Sequence, residues 1–196
     1  TTHYSIIDRW GNAAAVTTTL NDSFGSKVIV KGAGFLLNDE MDDFSVKPGV
    51  PNMYGMVGGE ANAIEPGKRM LSSMTPTLLE KEGKLFMIVG TPGGSTIITT
   101  VFQMVLNVTE HGMNIRQAVN AGRVHSQWLP DIILFESGAI GSLNLIKLIL
   151  KGHLPVPIQV VESSIGCVEA VRIMSDGAYV GAADNLRCGD DSAIGY

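Results

Sequence analysis

The chain has 196 residues, 45% of them apolar, with a formal charge of −5 and a mean hydropathy of +0.21. That length closes a hydrophobic core of one ordinary unit. The acidic balance, with no basic run, excludes a nucleic-acid surface, which needs clustered Lys and Arg. No apolar stretch reaches the roughly 18–20 residues of a membrane helix. The histidines and cysteines show no ligand spacing, so neither a metal site nor a cofactor is expected. The composition is slightly oily, which suits a sheet buried on both faces or a surface covered by another chain.

In chain order, Thr1-Thr2-His3-Tyr4 opens the sequence. A threonine with a free amine carries nucleophile and base on adjacent carbons. An α-amine ordinarily titrates at about 7.7–8.0, and in neutral form it can take the hydroxyl proton directly or through one water. The alternative is a chain that merely starts at a threonine. His3–Asp8 and Asn12–Leu20, joined by Arg9-Trp10-Gly11-Asn12, read as a hairpin of two strands. In such a pair the open ends are neighbours, so Thr19 and Asn21 are expected beside Thr1.

Residues 22–37 read as a loop with a short strand. Asp39, Glu40, Asp42 and Asp43 then place four carboxylates within five residues. They form either a solvated surface or a cradle for a substrate ammonium. Residues 45–70 are rich in Gly and Pro, either a lid with Tyr54 at its tip or an irregular connection. Ser72-Ser73 can hold an anion or simply make a turn. Thr77–Glu80 and Leu85–Val89 form a second hairpin about Lys81–Lys84.

Gly90-Thr91-Pro92-Gly93-Gly94-Ser95-Thr96 leads into a helix over Ile97–His111 that stops at Gly112. The turn lacks the lysine and spacing of a phosphate loop. Gly93-Gly94 can supply two aimed N–H groups to an oxyanion, or serve a tight turn. Asn114 with Gln117 marks a helix entry, ending near Gly122. Leu143–Leu150 reads as a helix closed by Gly152. Val156–Glu162, Cys167–Met174 and Tyr179–Ala183 read as strands, followed by a polar tail from Asp184 to Tyr196. Cys167 and Cys188 can pair, but two thiols distant in sequence do not specify a disulfide, so they are read as buried or free. Strands at both ends with helices between them suggest α+β layers.

The Thr-Thr-His-Tyr-Ser opening, Thr19-Leu20-Asn21, Asn38 with Met41-Asp42-Asp43-Phe44, Lys47-Pro48-Gly49, Lys68-Arg69, Leu71-Ser72-Ser73-Met74, Pro92-Gly93-Gly94-Ser95 and Gln127-Trp128-Leu129-Pro130 occur in one order. Over Thr1 to about Pro130 the chain resembles the small subunit of γ-glutamyltranspeptidases, members of the N-terminal nucleophile hydrolases. The resemblance implies a four-layer αββα sandwich, with residues 1–196 as a single catalytic unit completed by a large subunit cut from the same precursor. It implies a precursor that cleaves itself before Thr1. Thr1 would attack the γ-glutamyl amide of glutathione or a related compound, and water or an amino-acid or peptide acceptor would resolve the ester. By the same resemblance Thr19 orients Thr1, and Asn21, Glu40 and Asp43 hold the α-ammonium. Ser72 and Ser73 hold the α-carboxylate together with a large-subunit arginine. The N–H groups of Gly93 and Gly94 stabilise the oxyanion, and Tyr54 gates a lid near residues 48–59. A periplasmic or extracellular location is implied.

Thr18, Met70, Thr96, Gly122 and the run Ala183-Asp184-Asn185-Leu186-Arg187 depart from the family pattern. A related amidase, such as a cephalosporin (glutaryl) acylase or a poly-γ-glutamate-processing enzyme, is the alternative. Asp43 with Ser72-Ser73 argues instead for an amino-acid head group. A binding subunit that merely keeps the scaffold sits poorly with intact Thr1, Thr19 and Gly93-Gly94.

Overall fold

The computed structural model describes residues 1–158, 165–189 and 192–195. Strands β1 (Thr2–Ile7) and β2 (Ala13–Thr18) form the expected hairpin, paired Thr2 to Thr18 and Ile7 to Ala13. Its turn is tied by Asp8, whose Oδ1 accepts the N–H groups of Trp10 and Asn12, each at 2.9 Å. Gly11 supplies the positive φ of 86° that the turn requires.

The acidic run folds as a 3₁₀ turn, Glu40–Asp43. The lid segment is more ordered than an irregular connection. Asn52 Oδ1 accepts from the N–H groups of Tyr54 and Met56, both at 3.0 Å, an Asx turn that folds the loop back on itself. Strands β3 (Thr77–Lys81) and β4 (Lys84–Gly90) make the second hairpin. Helix α1 (Ile97–Thr109) follows the glycine turn. Helix α2 (Ile115–Asn120) starts with a full capping box: Asn114 Oδ1 accepts from Gln117 N–H, and Gln117 Oε1 accepts from Asn114 N–H.

Strands β5 (Val124–His125) and β6 (Ile133–Glu136) are additions to the sequence reading; two and four residues are too few to show a period. Helix α3 (Ser142–Leu150) crosses from β6 to the parallel strand β7 (Pro155–Ile158), and the rest of the strand expected over Val156–Glu162 lies outside the described residues. Strands β8 (Glu169–Ile173) and β9 (Tyr179–Ala183) complete a four-stranded sheet in the order β3-β4-β8-β9.

The core explains why β4 reads as an unbroken apolar run. Alternation sends Met87 and Val89 toward Ile97, Val101 and Met104 of α1 and Ile115, Ala118 and Val119 of α2. Ile88 and Gly90 lie on the opposite side, where β1 and β2 pack across β4 and β8. A Cβ on Gly90 would sit 2.2 Å from the His3 ring, so glycine there lets the hairpin approach. His3 is buried between Thr17, whose hydroxyl is 2.7 Å from Nδ1, and Ser5, 3.1 Å from Nε2. Burial lowers its pKa to about 4, so it is neutral. The fold is α+β as expected. Of four sandwich layers, the described residues form a hairpin layer, the main sheet and the helices over it. On α3, Leu143, Ile146, Ile149 and Leu150 are exposed.

The cysteines are neither free nor merely buried: Cys167 and Cys188 form a disulfide. The tail folds back so that Cys188 meets the segment ahead of β8, a proximity set by tertiary topology.

Candidate active site

The hairpin register decides where the first residue goes. With Thr2 opposite Thr18, Thr1 falls beside Thr19, and its hydroxyl donates to Thr19 Oγ1 at 2.9 Å. Thr19 Oγ1 also accepts the Asn21 N–H at 2.8 Å. Asn21 adopts φ 75°, a left-handed conformation that asparagine tolerates, and this turns the chain down into the site. Its Nδ2 donates to the Asp39 carbonyl at 3.2 Å and to Met53 sulfur at 3.6 Å. Among the described residues no donor reaches its amide oxygen, which leaves it to accept from a cation.

Thr1, Thr19, Asn21, Asp43, Tyr54, Ser72, Ser73 and Gly94 line one cavity of about 20 Å³, with Met56, Met74 and Ile97 as its apolar wall. Its volume is small because the Tyr54 ring lies over the glycine turn: a Cβ on Gly94 would be 3.0 Å from the ring edge. Tyr54 OH donates to the Asn21 carbonyl at 3.0 Å, and Gln127 Nε2 donates to the Tyr54 carbonyl at 3.4 Å. The lid is therefore closed in this structure, latched at tip and flank. A larger groove of about 710 Å³ lies across the wall formed by Asp43 and Met56.

Two expected residues stand just outside that lining. Glu40 is half-buried behind Asp43 and interacts with it and with the positive charge at Thr1 N. Burial first, then the charge of Asp43, raises the Glu40 pKa to about 7. Burial also raises Asp43. The pair thus retains a proton close to neutrality, as two crowded carboxylates do. Gly93 adopts φ 142° and Gly94 φ 56°, and both N–H groups are free of protein acceptors among the described residues. Thr96 closes the turn: its N–H and hydroxyl reach the Gly93 carbonyl at 3.1 and 2.8 Å. Ser72 Oγ accepts from Met74 N–H at 3.2 Å, and Ser73 Oγ points to Met56 sulfur at 3.7 Å.

Sequence reasoning missed several supports. Beneath Gly58 of the lid, Ser45 Oγ is buried with no hydrogen-bond partner among the described residues, and a Cβ on Gly58 would stand 2.0 Å from it. Behind the glycine turn, His125 is held by Thr99 Oγ1 at 2.8 Å and Gln127 Oε1 at 3.0 Å. Deeper still, Arg123 and Arg187 bind Asp184 and Glu136 in a buried network: Arg123 Nη2 to Asp184 Oδ2 is 2.7 Å, and Arg187 Nε to Glu136 Oε1 is 2.7 Å. None of these has a sequence spacing that would reveal it. Chemically, the cavity and its rim join a hydroxyl nucleophile, carboxylates for a cation, hydroxyls for an anion and two N–H groups without protein acceptors among the described residues. That set matches acyl transfer from a zwitterionic head group.

The family model described as gamma-glutamyltranspeptidase matches residues 1–194. The chain is 48% identical over 196 residues to the glutathione hydrolase proenzyme of Escherichia coli K12, covering 100% of this chain and 33% of that protein. It thus spans about a third of that relative's length. Among solved structures, gamma-glutamyltranspeptidase from Pseudomonas nitroreducens complexed with L-DON superposes with a TM-score of 0.88 at 46% identity, covering 100% of both chains. An acivicin-inhibited gamma-glutamyltranspeptidase gives a TM-score of 0.88 at 50% identity over 94% of this chain and 97% of that one. With the family model spanning nearly every residue and the cavity built from the residues that carry the resemblance, the chain belongs to the gamma-glutamyltranspeptidase family.

Proposed function

We propose that this chain is the nucleophile-bearing subunit of a γ-glutamyltransferase and glutathione hydrolase. The observation that carries the reading is the Thr1–Thr19 hydroxyl contact at 2.9 Å on a cavity shared with Asp43, Ser72, Ser73 and Gly94. Precursor autocleavage frees the Thr1 amine. Thr1 Oγ attacks the γ-glutamyl carbonyl carbon while its proton passes to that amine. The developing oxyanion takes hydrogen bonds from the Gly93 and Gly94 N–H groups. Losing one such donor typically costs about 10²–10³ in rate. The C–N bond then breaks as the Thr1 ammonium returns the proton to the leaving amine, giving a γ-glutamyl ester. Water, or the neutral amine of an amino acid or peptide, attacks that ester and releases Thr1 Oγ–H.

Asn21, Glu40 and Asp43 bind the substrate α-ammonium, and Ser72 and Ser73 bind the α-carboxylate. The large subunit of the same precursor adds an arginine there and completes one catalytic unit with residues 1–196. The exposed apolar face of α3 supports such cover. A periplasmic or extracellular site of action follows from the family resemblance.

The test is to treat the processed two-chain enzyme with a γ-glutamyl-mimicking electrophile and map the adduct by mass spectrometry. The reading expects one adduct on Thr1, loss of γ-glutamyl-p-nitroanilide hydrolysis, and neither processing nor adduct in Thr1→Ala. An unmodified Thr1 in inactivated enzyme would overturn it.

A further inference from the structure

Cys167 belongs to a buried segment lying directly beneath the glycine turn. The Gly166 Cα is 3.1 Å from where a Cβ on Gly93 would stand. A Cβ on Gly166 itself would be 2.7 Å from Thr91 Oγ1 and 3.0 Å from Thr100 Oγ1. Cys167 N–H donates to Thr91 Oγ1, and the Thr91 hydroxyl donates to the Pro92 carbonyl at 2.6 Å. The segment therefore touches Thr91, whose hydroxyl holds the Pro92 carbonyl, and packs against Gly93.

The same segment is tied to the tail at two points. Arg123 Nη1 donates to the Ile165 carbonyl at 2.8 Å, and its Nη2 binds Asp184. Two residues along, the disulfide joins Cys167 to Cys188, whose N–H donates to the Asp184 carbonyl at 3.1 Å. The guanidinium and the disulfide hold one floor from below, and the turn rests on it.

We propose that the Cys167–Cys188 disulfide is a positioning element of the oxyanion hole, so that thiol–disulfide exchange at this bond sets the rate of acyl transfer. The proposal rests on reading Gly93 and Gly94 as oxyanion donors. Such donors work only within a narrow geometry, and a misplacement of about 1 Å can cost 10²-fold. Releasing the floor moves the donors while leaving Asp43, Ser72 and Ser73, which lie on other segments, in place. The effect falls on kcat and spares KM.

The exchange is ordinary chemistry. Cys167 is 4% exposed and Cys188 is more open, so an external dithiol attacks the Cys188 sulfur. A mixed disulfide forms there and Cys167 leaves as thiolate. The second thiol of the reductant then displaces Cys188, yielding a cyclic disulfide and two protein thiols.

The experiment uses the processed two-chain enzyme and γ-glutamyl-p-nitroanilide, with rates normalised to sites titrated by a γ-glutamyl-mimicking electrophile. Unfolding would lower the titre; loss of positioning lowers turnover per titrated site. After reduction with dithiothreitol, kcat per site is expected to fall about tenfold with KM within twofold, and reoxidation restores it. A Cys167→Ser/Cys188→Ser double variant shows the same deficit and no response to dithiothreitol. Gly166→Ala, with the disulfide intact, lowers kcat in the same way. If the double variant does not mature, reduction and reoxidation of the native enzyme decide alone. Fully reduced cysteines with kcat unchanged, or a change confined to KM, would overturn the proposal. An oxidised enzyme that neither turns over the anilide nor accepts the electrophile would instead overturn the acyl-transfer reading.

Discussion

Two charged clusters in this molecule obey opposite rules. The Arg123–Asp184–Arg187–Glu136 network mixes signs, is buried, and has each group hydrogen-bonded to a neighbour. Burial alone would push the Glu136 carboxyl up, but the hydrogen bond and charge of Arg187 outweigh it and hold it below the usual range. Arg123 falls to about 10, chiefly by burial and then by repulsion from Arg187. The acidic turn at Asp39–Asp43 carries one sign only and is half-exposed, and burial, before any neighbouring charge, raises its Glu40 and Asp43 carboxyls. A balanced cluster is complete within the fold. A cluster of like charge held together at a cavity is complete only with a ligand of opposite charge.

The sharpest test of that contrast is Asp184→Asn. It strips the charge facing two buried guanidinium groups, and breaking a buried pair costs about 3–5 kcal/mol. Thermal denaturation of the processed enzyme should drop by roughly 10 °C or more. At the other cluster, Asp43→Asn should leave melting nearly unchanged but raise KM for a γ-glutamyl anilide roughly 10- to 100-fold, the worth of one charge-assisted hydrogen bond. A glutaryl anilide, which has no ammonium, should be unaffected in steady-state kinetics. Equal losses on both substrates would remove the distinction between the clusters.

Glu40→Gln tests the shared proton. With a folded pKa of about 7 against an ordinary 4.5, Glu40 binds its proton more tightly in the native state. Its contribution to stability is therefore greatest below the unfolded pKa and is lost as pH rises toward 7. Donor binding runs the other way: an ammonium binds best once the proton has left. Donor KM should fall by up to about tenfold from pH 6 to pH 8 in the native enzyme and stay flatter in Glu40→Gln. Tyr54→Phe is the smallest change, removing only the hydroxyl that reaches the Asn21 carbonyl at 3.0 Å. A three- to tenfold rise in donor KM is expected from a bond worth about 0.5–1.5 kcal/mol, read in the same kinetic assay.

The acidic cluster was legible in the sequence and the balanced one was not, for a physical reason. Asp39 to Asp43 are contiguous, and Thr1 meets Thr19 through a short hairpin whose pairing follows from its turn. The capping box at Asn114 and the helix after Gly94 are local patterns too. Arg123, Glu136 and the Asp184–Arg187 segment come from three separate places and meet only once β8 has paired with β4 and β9 with β8. The disulfide joins residues 21 apart and is hidden in the same way. The two short strands β5 and β6 owe their existence to pairing with each other and with β7. Local chemistry can be read from order along the chain; long-range closure needs the folded topology.

The Ser45 hydroxyl beneath Gly58, without a partner among the described residues, gives the lid a bias of its own. A buried polar group without a partner costs about 1–3 kcal/mol, and lifting Gly58 lets solvent relieve that cost. The loop thus behaves less like a bolt than like a lightly loaded spring, held shut by its Tyr54 and Gln127 contacts against that cost.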